Sequence, residues 1–123
     1  MIITENSAVQ KALDDIIDNK ECYITVDRND IIRLFGEHPK LRMIQVAANN
    51  MEDIIALLKQ DIAEIGGFPK KCFAAYISMD LKMTDLELLG SITDNEPNLQ
   101  RIKRTVIFEK SPLGDILLLF FFD

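Results

Sequence analysis

The sequence predicts a single domain of the α/β or α+β type, in which helices pack on a mixed β-sheet. Segments with the apolar spacing of amphipathic helices alternate along the chain with short apolar segments typical of strands. No linker, internal repeat or low-complexity tract separates these segments. The length of 123 residues is close to the commonest domain size, so residues 1–123 are expected to form one domain around one hydrophobic core.

The N-terminal part of the chain predicts a helix, a short strand and a second helix. Ser7 is a candidate N-cap, and apolar residues recur at helical spacing up to the polar DNKE segment, which predicts a helix over 7–18. The YITV segment predicts a strand over 23–26. Asp27 then begins the second helix, and Gly36 ends it.

The middle of the chain predicts a strand, a long helix and another strand. The LRMIQVAA segment predicts a strand over 41–48, and an asparagine of the following AANN segment, either Asn49 or Asn50, caps the helix. A glycine pair ends this helix, and KCFAAYISM predicts the next strand over 71–79. The apolar face of the helix comprises Ile54, Ile55, Leu58, Ile62 and Ile65.

The C-terminal part predicts a helix followed by a β-hairpin. The TDLE segment at 84–87 is a capping-box signature that begins a helix toward Thr93. Two strands are predicted over 104–109 and 115–122, and the KSPLG segment between them has the proline and glycine of a hairpin loop. The sheet is therefore expected to end in a β-hairpin.

The last strand contains the most apolar run of the chain, ILLLFFF at 116–122. This run is far shorter than the roughly 20 residues that cross a bilayer, which indicates a buried strand. Its side chains point alternately to the two faces of the sheet, so both faces should be covered, by helices or by a partner molecule. A face without such cover would expose an apolar patch of the kind that marks an interface.

The composition is that of a globular protein, with 48% hydrophobic and 28% charged residues. A net charge of −6, without a long basic run, argues against nucleic acid or an anionic membrane surface as a partner. The N-terminus lacks the features of a secretory signal, so a cytoplasmic location is expected. Cys22 and Cys72 lie outside any CxxC motif and are interpreted as two reduced, packed thiols.

Residue patterns for catalysis, metal binding or phosphate binding are weak throughout the chain. The one histidine, His38, has no second histidine or cysteine pair near it, as a metal site would require. Gly66 and Gly67 follow a helix, whereas a phosphate-binding loop leads into one. We therefore predict no catalytic residues, no cofactor and no metal site, and a protein that is not an enzyme.

One segment, ITVDRND at 24–30, has two open interpretations. Asp27 at the N-cap and Asp30 at the third helical position complement the positive end of a helix, which stabilises the helix by roughly 1 kcal/mol without any further function. Alternatively, the two carboxylates form part of a functional surface. Residue types alone favour the helix-capping interpretation.

Three segments resemble the C-terminal half of FtsZ, the bacterial tubulin homologue. AVQKALDDII at 8–17 is similar to the end of the central helix that joins the two FtsZ domains, and ITVDRND resembles the synergy loop. DLKMTDLELLG at 80–90 is similar, without gaps, to the strand-to-helix motif DLRLxEFExVG. The order and spacing of these segments also agree, so the resemblance covers about residues 8–122.

The resemblance implies a four-stranded mixed sheet with two helices packed on one face, preceded by the tail of a long helix. It also implies a docking role, because FtsZ subunits stack head to tail and the synergy loop enters the GTP site of the next subunit. Asp27 and Asp30 match the two aspartates of the family motif NVDFxD, whereas Thr25 and Arg28 replace its asparagine and phenylalanine. The docking loop implied for this chain comprises Thr25, Val26, Asp27, Arg28, Asn29 and Asp30.

The chain also departs from the family pattern. A GTPase of the tubulin type needs a glycine-rich GGGTG loop, and this sequence has none, so the chain is not expected to bind GTP. The sequence also ends at Asp123, directly after the last predicted strand, without the linker and terminal peptide that FtsZ uses for membrane-tethering partners. The resemblance therefore implies no link to a membrane.

The leading hypothesis is a non-enzymatic interaction module that docks on an FtsZ or tubulin-like filament and regulates its assembly as a cap. A second hypothesis is a structural homo-oligomer that associates through the apolar terminal strand and helix faces. In a third, Asp27 and Asp30 activate the GTPase site of a partner in trans.

Overall fold

The computed structural model describes residues 1–17, 27–37, 40–67, 69, 71–79, 84, 85, 87, 103–107 and 114–121. Its elements in chain order are β1 (Ile2–Ile3), α1 (Asn6–Ile17), α2 (Arg28–Phe35), β2 (Arg42–Ala48), α3 (Met51–Glu64), β3 (Cys72–Ile77), β4 (Lys103–Ile107) and β5 (Asp115–Phe121). The strand predicted over 23–26 and most of the helix predicted from residue 84 lie outside the described residues.

The strands form one sheet in the order β1-β2-β5-β3-β4. β5 lies between β2 and β3 and is antiparallel to both, while β4 is parallel to β3. The two-residue β1, which was not predicted, pairs with the outer edge of β2. With helices packed on this sheet, the predicted α+β class is confirmed, although the sheet has five described strands instead of four.

The predicted terminal β-hairpin is wrong, because β3 lies between β4 and β5 in the sheet. The apolar side chains of β5 need cover on both faces, and a strand with neighbours on both sides obtains this cover best at the centre of a sheet. A hairpin with β4 alone would not provide such a position. The turn residues of KSPLG predicted that β5 pairs with β4. The burial of the apolar side chains of β5 instead favours its position between β2 and β3.

The sheet separates two apolar clusters, one under each helical layer. The first cluster joins α1 and α2 to one face of the sheet, with Phe73, Leu118 and Phe120 at its centre. The second cluster joins α3 to the opposite face, through Tyr76 and Leu119 among others. The prediction that both faces of the last strand are covered is confirmed, and the helices of the chain itself provide the cover.

Two helix starts differ in how well the sequence predicted them. α1 begins at Asn6, so Ser7 lies inside the helix and its hydroxyl donates to a carboxylate oxygen of Glu5 at 2.6 Å instead of capping. α3 begins as predicted, because the Asn50 Oδ1 atom accepts from the Asp53 backbone N–H at 2.9 Å. An N-cap side chain of this kind satisfies a backbone donor that the helix itself leaves without a partner.

Gly114 is required by a close backbone approach. Its φ is +89°, and a Cβ at this position would lie 2.7 Å from the Ala48 carbonyl oxygen and 3.1 Å from Asn49 Oδ1. Gly66 has a similar φ of +92° but has open space around it. Of the glycines among the described residues, Gly114 alone combines a left-handed backbone conformation with a steric conflict.

We predict that Gly114→Ala destabilises the protein more than Gly66→Ala does. Left-handed backbone costs an alanine roughly 1–2 kcal/mol at either position, and the conflict with Ala48 adds about 1–3 kcal/mol at Gly114. Urea denaturation of the two variants measures the difference. Equal losses of unfolding free energy would show that the contact with Ala48 relaxes without cost.

Candidate functional site

The Asp27–Asp30 segment forms a capping box at the start of α2. The Asp30 backbone N–H donates to Asp27 Oδ1 at 3.0 Å, and the Asp27 backbone N–H donates to Asp30 Oδ2 at 3.3 Å. Asp27 has extended backbone angles, with φ −99° and ψ 167°, as expected of an N-cap residue. The helix-capping interpretation of the two aspartates is therefore confirmed.

The same residues also form an exposed surface. Asp27, Arg28 and Asn29 are exposed and Asp30 is half-buried, so the capping contacts leave the start of α2 open to solvent. The other two residues of the predicted docking loop, Thr25 and Val26, lie outside the described residues. The structure thus brings four of the six loop residues together at one helix end.

Arg28 connects this helix end to α1. Its guanidinium lies 3.2 Å from Asp14 Oδ1, and the Gln10 side-chain amide donates to the same oxygen at 3.1 Å. The side chains of Arg28 and Asp14 are 54% and 40% exposed, so this ion pair contributes about 0–1 kcal/mol to stability. The ion pair with Asp14 limits the orientations that the Arg28 side chain can adopt. The role of Asp14 is not visible in the sequence, because no spacing rule relates it to a residue 14 positions further along the chain.

A shallow cleft of about 70 Å³ lies beside this surface, between α1 and α2. The apolar residues Leu13, Ile17, Ile31 and Ile32 line it together with the polar Arg28 and Glu37. Sites for small molecules and cofactors usually have volumes of roughly 300–1,000 Å³. The cleft is smaller than such sites, and it adds a few apolar atoms beside the exposed start of α2.

A second polar group lies where β3 ends and β5 begins. The hydroxyl of Tyr76 donates to Asp115 Oδ2 and the hydroxyl of Ser78 donates to Asp115 Oδ1, both at 2.9 Å. Tyr76 and Ser78 are almost completely buried, at 0% and 1% exposure. Because one carboxylate accepts from both hydroxyls, this group satisfies buried donors and joins two neighbouring strands. The sequence did not indicate this group, because Asp115 is far from Tyr76 and Ser78 along the chain.

Burial changes the acid–base behaviour of two side chains of β3. Burial is the main cause that raises the pKa of Tyr76, and the hydrogen bond to Asp115 raises it further. Burial also raises the pKa of the Cys72 thiol from 9.0 to about 12. The thiol of Cys72 is free and buried, as predicted, while Cys22 lies outside the described residues.

We predict that the protein loses stability as the pH rises above about 9. The unfolded chain releases the Cys72 proton near pH 9.0 and the Tyr76 proton near pH 10.0, whereas the folded chain retains both protons to higher pH. The stability is therefore fully present below pH 9.0, and each group removes up to about 1.4 kcal/mol per pH unit above its unfolded pKa. Denaturant titrations between pH 8 and pH 12 measure this slope.

The variant Tyr76→Phe separates the two contributions. It keeps the ring and removes the ionisable hydroxyl, so the slope above pH 10 should fall while the slope that begins near pH 9 remains. An unchanged slope above pH 10 would mean that Tyr76 does not contribute to the alkaline loss of stability.

Among the described residues, no three histidine, cysteine, aspartate or glutamate side chains lie together in an arrangement that could hold a metal ion. His38, the one histidine of the chain, lies outside them. Gly66 and Gly67 follow the end of α3, as predicted, and do not lead into a helix. Among the described helices, none has both the length and the apolar character that a membrane span requires.

No protein-family model matches the chain, and no curated protein matches it significantly.

Proposed function

We propose that the protein is a non-enzymatic interaction module whose surface at the start of α2 docks on a filament of the FtsZ or tubulin type and regulates its assembly. The docking surface consists of residues 27–30 at the start of α2, with Asp14 of α1 beside them. The observation that carries the proposal is that Asp27 and Asp30, which match the two aspartates of the FtsZ synergy-loop motif, hold each other through capping contacts at a helix end where residues 27–29 are exposed.

The contacts at this helix end favour docking because they reduce its entropic cost. The two capping hydrogen bonds hold the backbone of Asp27 and Asp30, and Asp14 limits the orientations of Arg28. Side chains that are already ordered lose less conformational freedom when a partner binds. The surface therefore presents both signs of charge in a defined arrangement, which supports selectivity for a complementary partner.

The burial of β5 favours docking over the self-association hypothesis. That hypothesis rests on the apolar terminal strand and on helix faces, and its first part requires an exposed apolar face of the strand. Leu117–Phe121 are all buried, and helices cover the sheet on both sides. Self-association through this strand therefore has no exposed apolar surface to bury.

The capping contacts also favour docking over activation of a partner GTPase in trans. A residue that orients an attacking water needs a carboxylate oxygen within hydrogen-bond reach of that water. In this structure one oxygen of each aspartate accepts a backbone N–H of the capping box, and Arg28 lies between the two acids in sequence. These contacts fit a binding role better than a catalytic one.

A docking module without a nucleotide face of its own would add to one end of a filament and prevent further growth there. Such a protein would act as a cap in the cytoplasm, where filaments of this type assemble. The proposal requires no cofactor, metal or GTP bound to this chain.

The experiment combines sedimentation and GTP hydrolysis of the FtsZ or tubulin-like protein from the same cell, with and without this chain. The unaltered chain should reduce the polymer in the pellet at substoichiometric amounts. The variant Asp27→Asn/Asp30→Asn should require roughly tenfold more protein for the same effect, equivalent to about 1.4 kcal/mol of binding. Asparagine keeps the capping acceptors and removes the charges, so α2 should remain intact.

The control variant is Asp15→Asn, which removes an exposed charge from α1 outside the docking surface. It should act like the unaltered chain. If the double variant reduces the polymer as effectively as the unaltered chain, the proposed surface is contradicted. If the unaltered chain at excess does not reduce the polymer, the proposed function is contradicted. Faster GTP hydrolysis per unit of polymer would instead favour activation in trans.

A further inference from the structure

We draw no further inference here: the strongest candidate, the shallow cleft between α1 and α2 that Leu13, Ile17 and Ile32 line, adjoins the docking surface already proposed, and nothing in the structure shows what covers it.

Discussion

Replacing Phe120 by alanine is expected to lower the free energy of unfolding by about 3–5 kcal/mol. Phe120 is fully buried in β5, the central strand, and its register partners are Met43 on one side and Phe73 on the other. The rings of Phe73 and Phe120 lie 6.0 Å apart between centroids, within the range of a favourable aromatic pair. The truncation would leave a cavity under both α1 and α2.

Equilibrium denaturation in urea tests this expectation. A loss of this size is a large part of the roughly 5–15 kcal/mol that stabilises a typical domain, so the variant should unfold at a much lower urea concentration. Phe120→Leu is the control, because it keeps most of the apolar volume and should cost much less. A loss below about 1 kcal/mol for Phe120→Ala would contradict the buried position of this ring.

Replacing Asp115 by alanine is expected to cost about 2–4 kcal/mol of stability. The substitution removes the carboxylate to which the buried hydroxyls of Tyr76 and Ser78 both donate. A buried donor that loses its acceptor keeps its desolvation penalty without the compensating hydrogen bond. The expected loss is therefore larger than that of an exposed aspartate, for which Asp15→Ala is the matched control.

A double-mutant cycle distinguishes this explanation from a general effect of the substitution. Tyr76→Phe alone removes a donor and should cost about 1 kcal/mol. In the Tyr76→Phe background, Asp115→Ala should cost less than it does in the unaltered chain, because one of the two donors is gone. Strictly additive losses would mean that the hydrogen bond between these residues does not contribute to stability.

The helix ends show which features of the structure can be predicted from neighbouring residues in the sequence. α2 begins at the N-cap Asp27 and ends at Gly36, as the sequence predicts, and α3 begins at the N-cap Asn50, one of the two asparagines that the sequence left open. The capping contacts at the two helix starts join residues three positions apart, such as the Asp30 N–H and Asp27, and the Gly36 N–H donates to the Ile32 carbonyl oxygen four positions earlier. A helix end is therefore visible in a few consecutive residues. The start of α1 shows the limit of this rule, since the predicted N-cap Ser7 lies inside the helix and its hydroxyl donates to Glu5.

The proposed docking surface was only partly predictable. The sequence indicated Asp27 and Asp30 as one unit, because both belong to the same helix end. It did not indicate that Asp14 of α1 would contact Arg28, or that a cleft would lie between the two helices. Contacts between helices depend on how both pack on the sheet, and no residue spacing in one helix records that packing.

The sequence by itself determined the α+β class, the ends of α2 at Asp27 and Gly36, the start of α3 to one of two adjacent asparagines, and the need for cover on both faces of the last strand. These features follow from the periodicity of apolar residues and from capping residues, and both signals are contained in short segments of the sequence. Only the tertiary structure decided that β5 lies between β2 and β3, that α1 and α2 lie opposite α3, and that Asp115 meets Tyr76. The reason is physical: Tyr76 and Asp115 are 39 positions apart, and such contacts form only when a strand takes the place in the sheet where most of its apolar surface is buried.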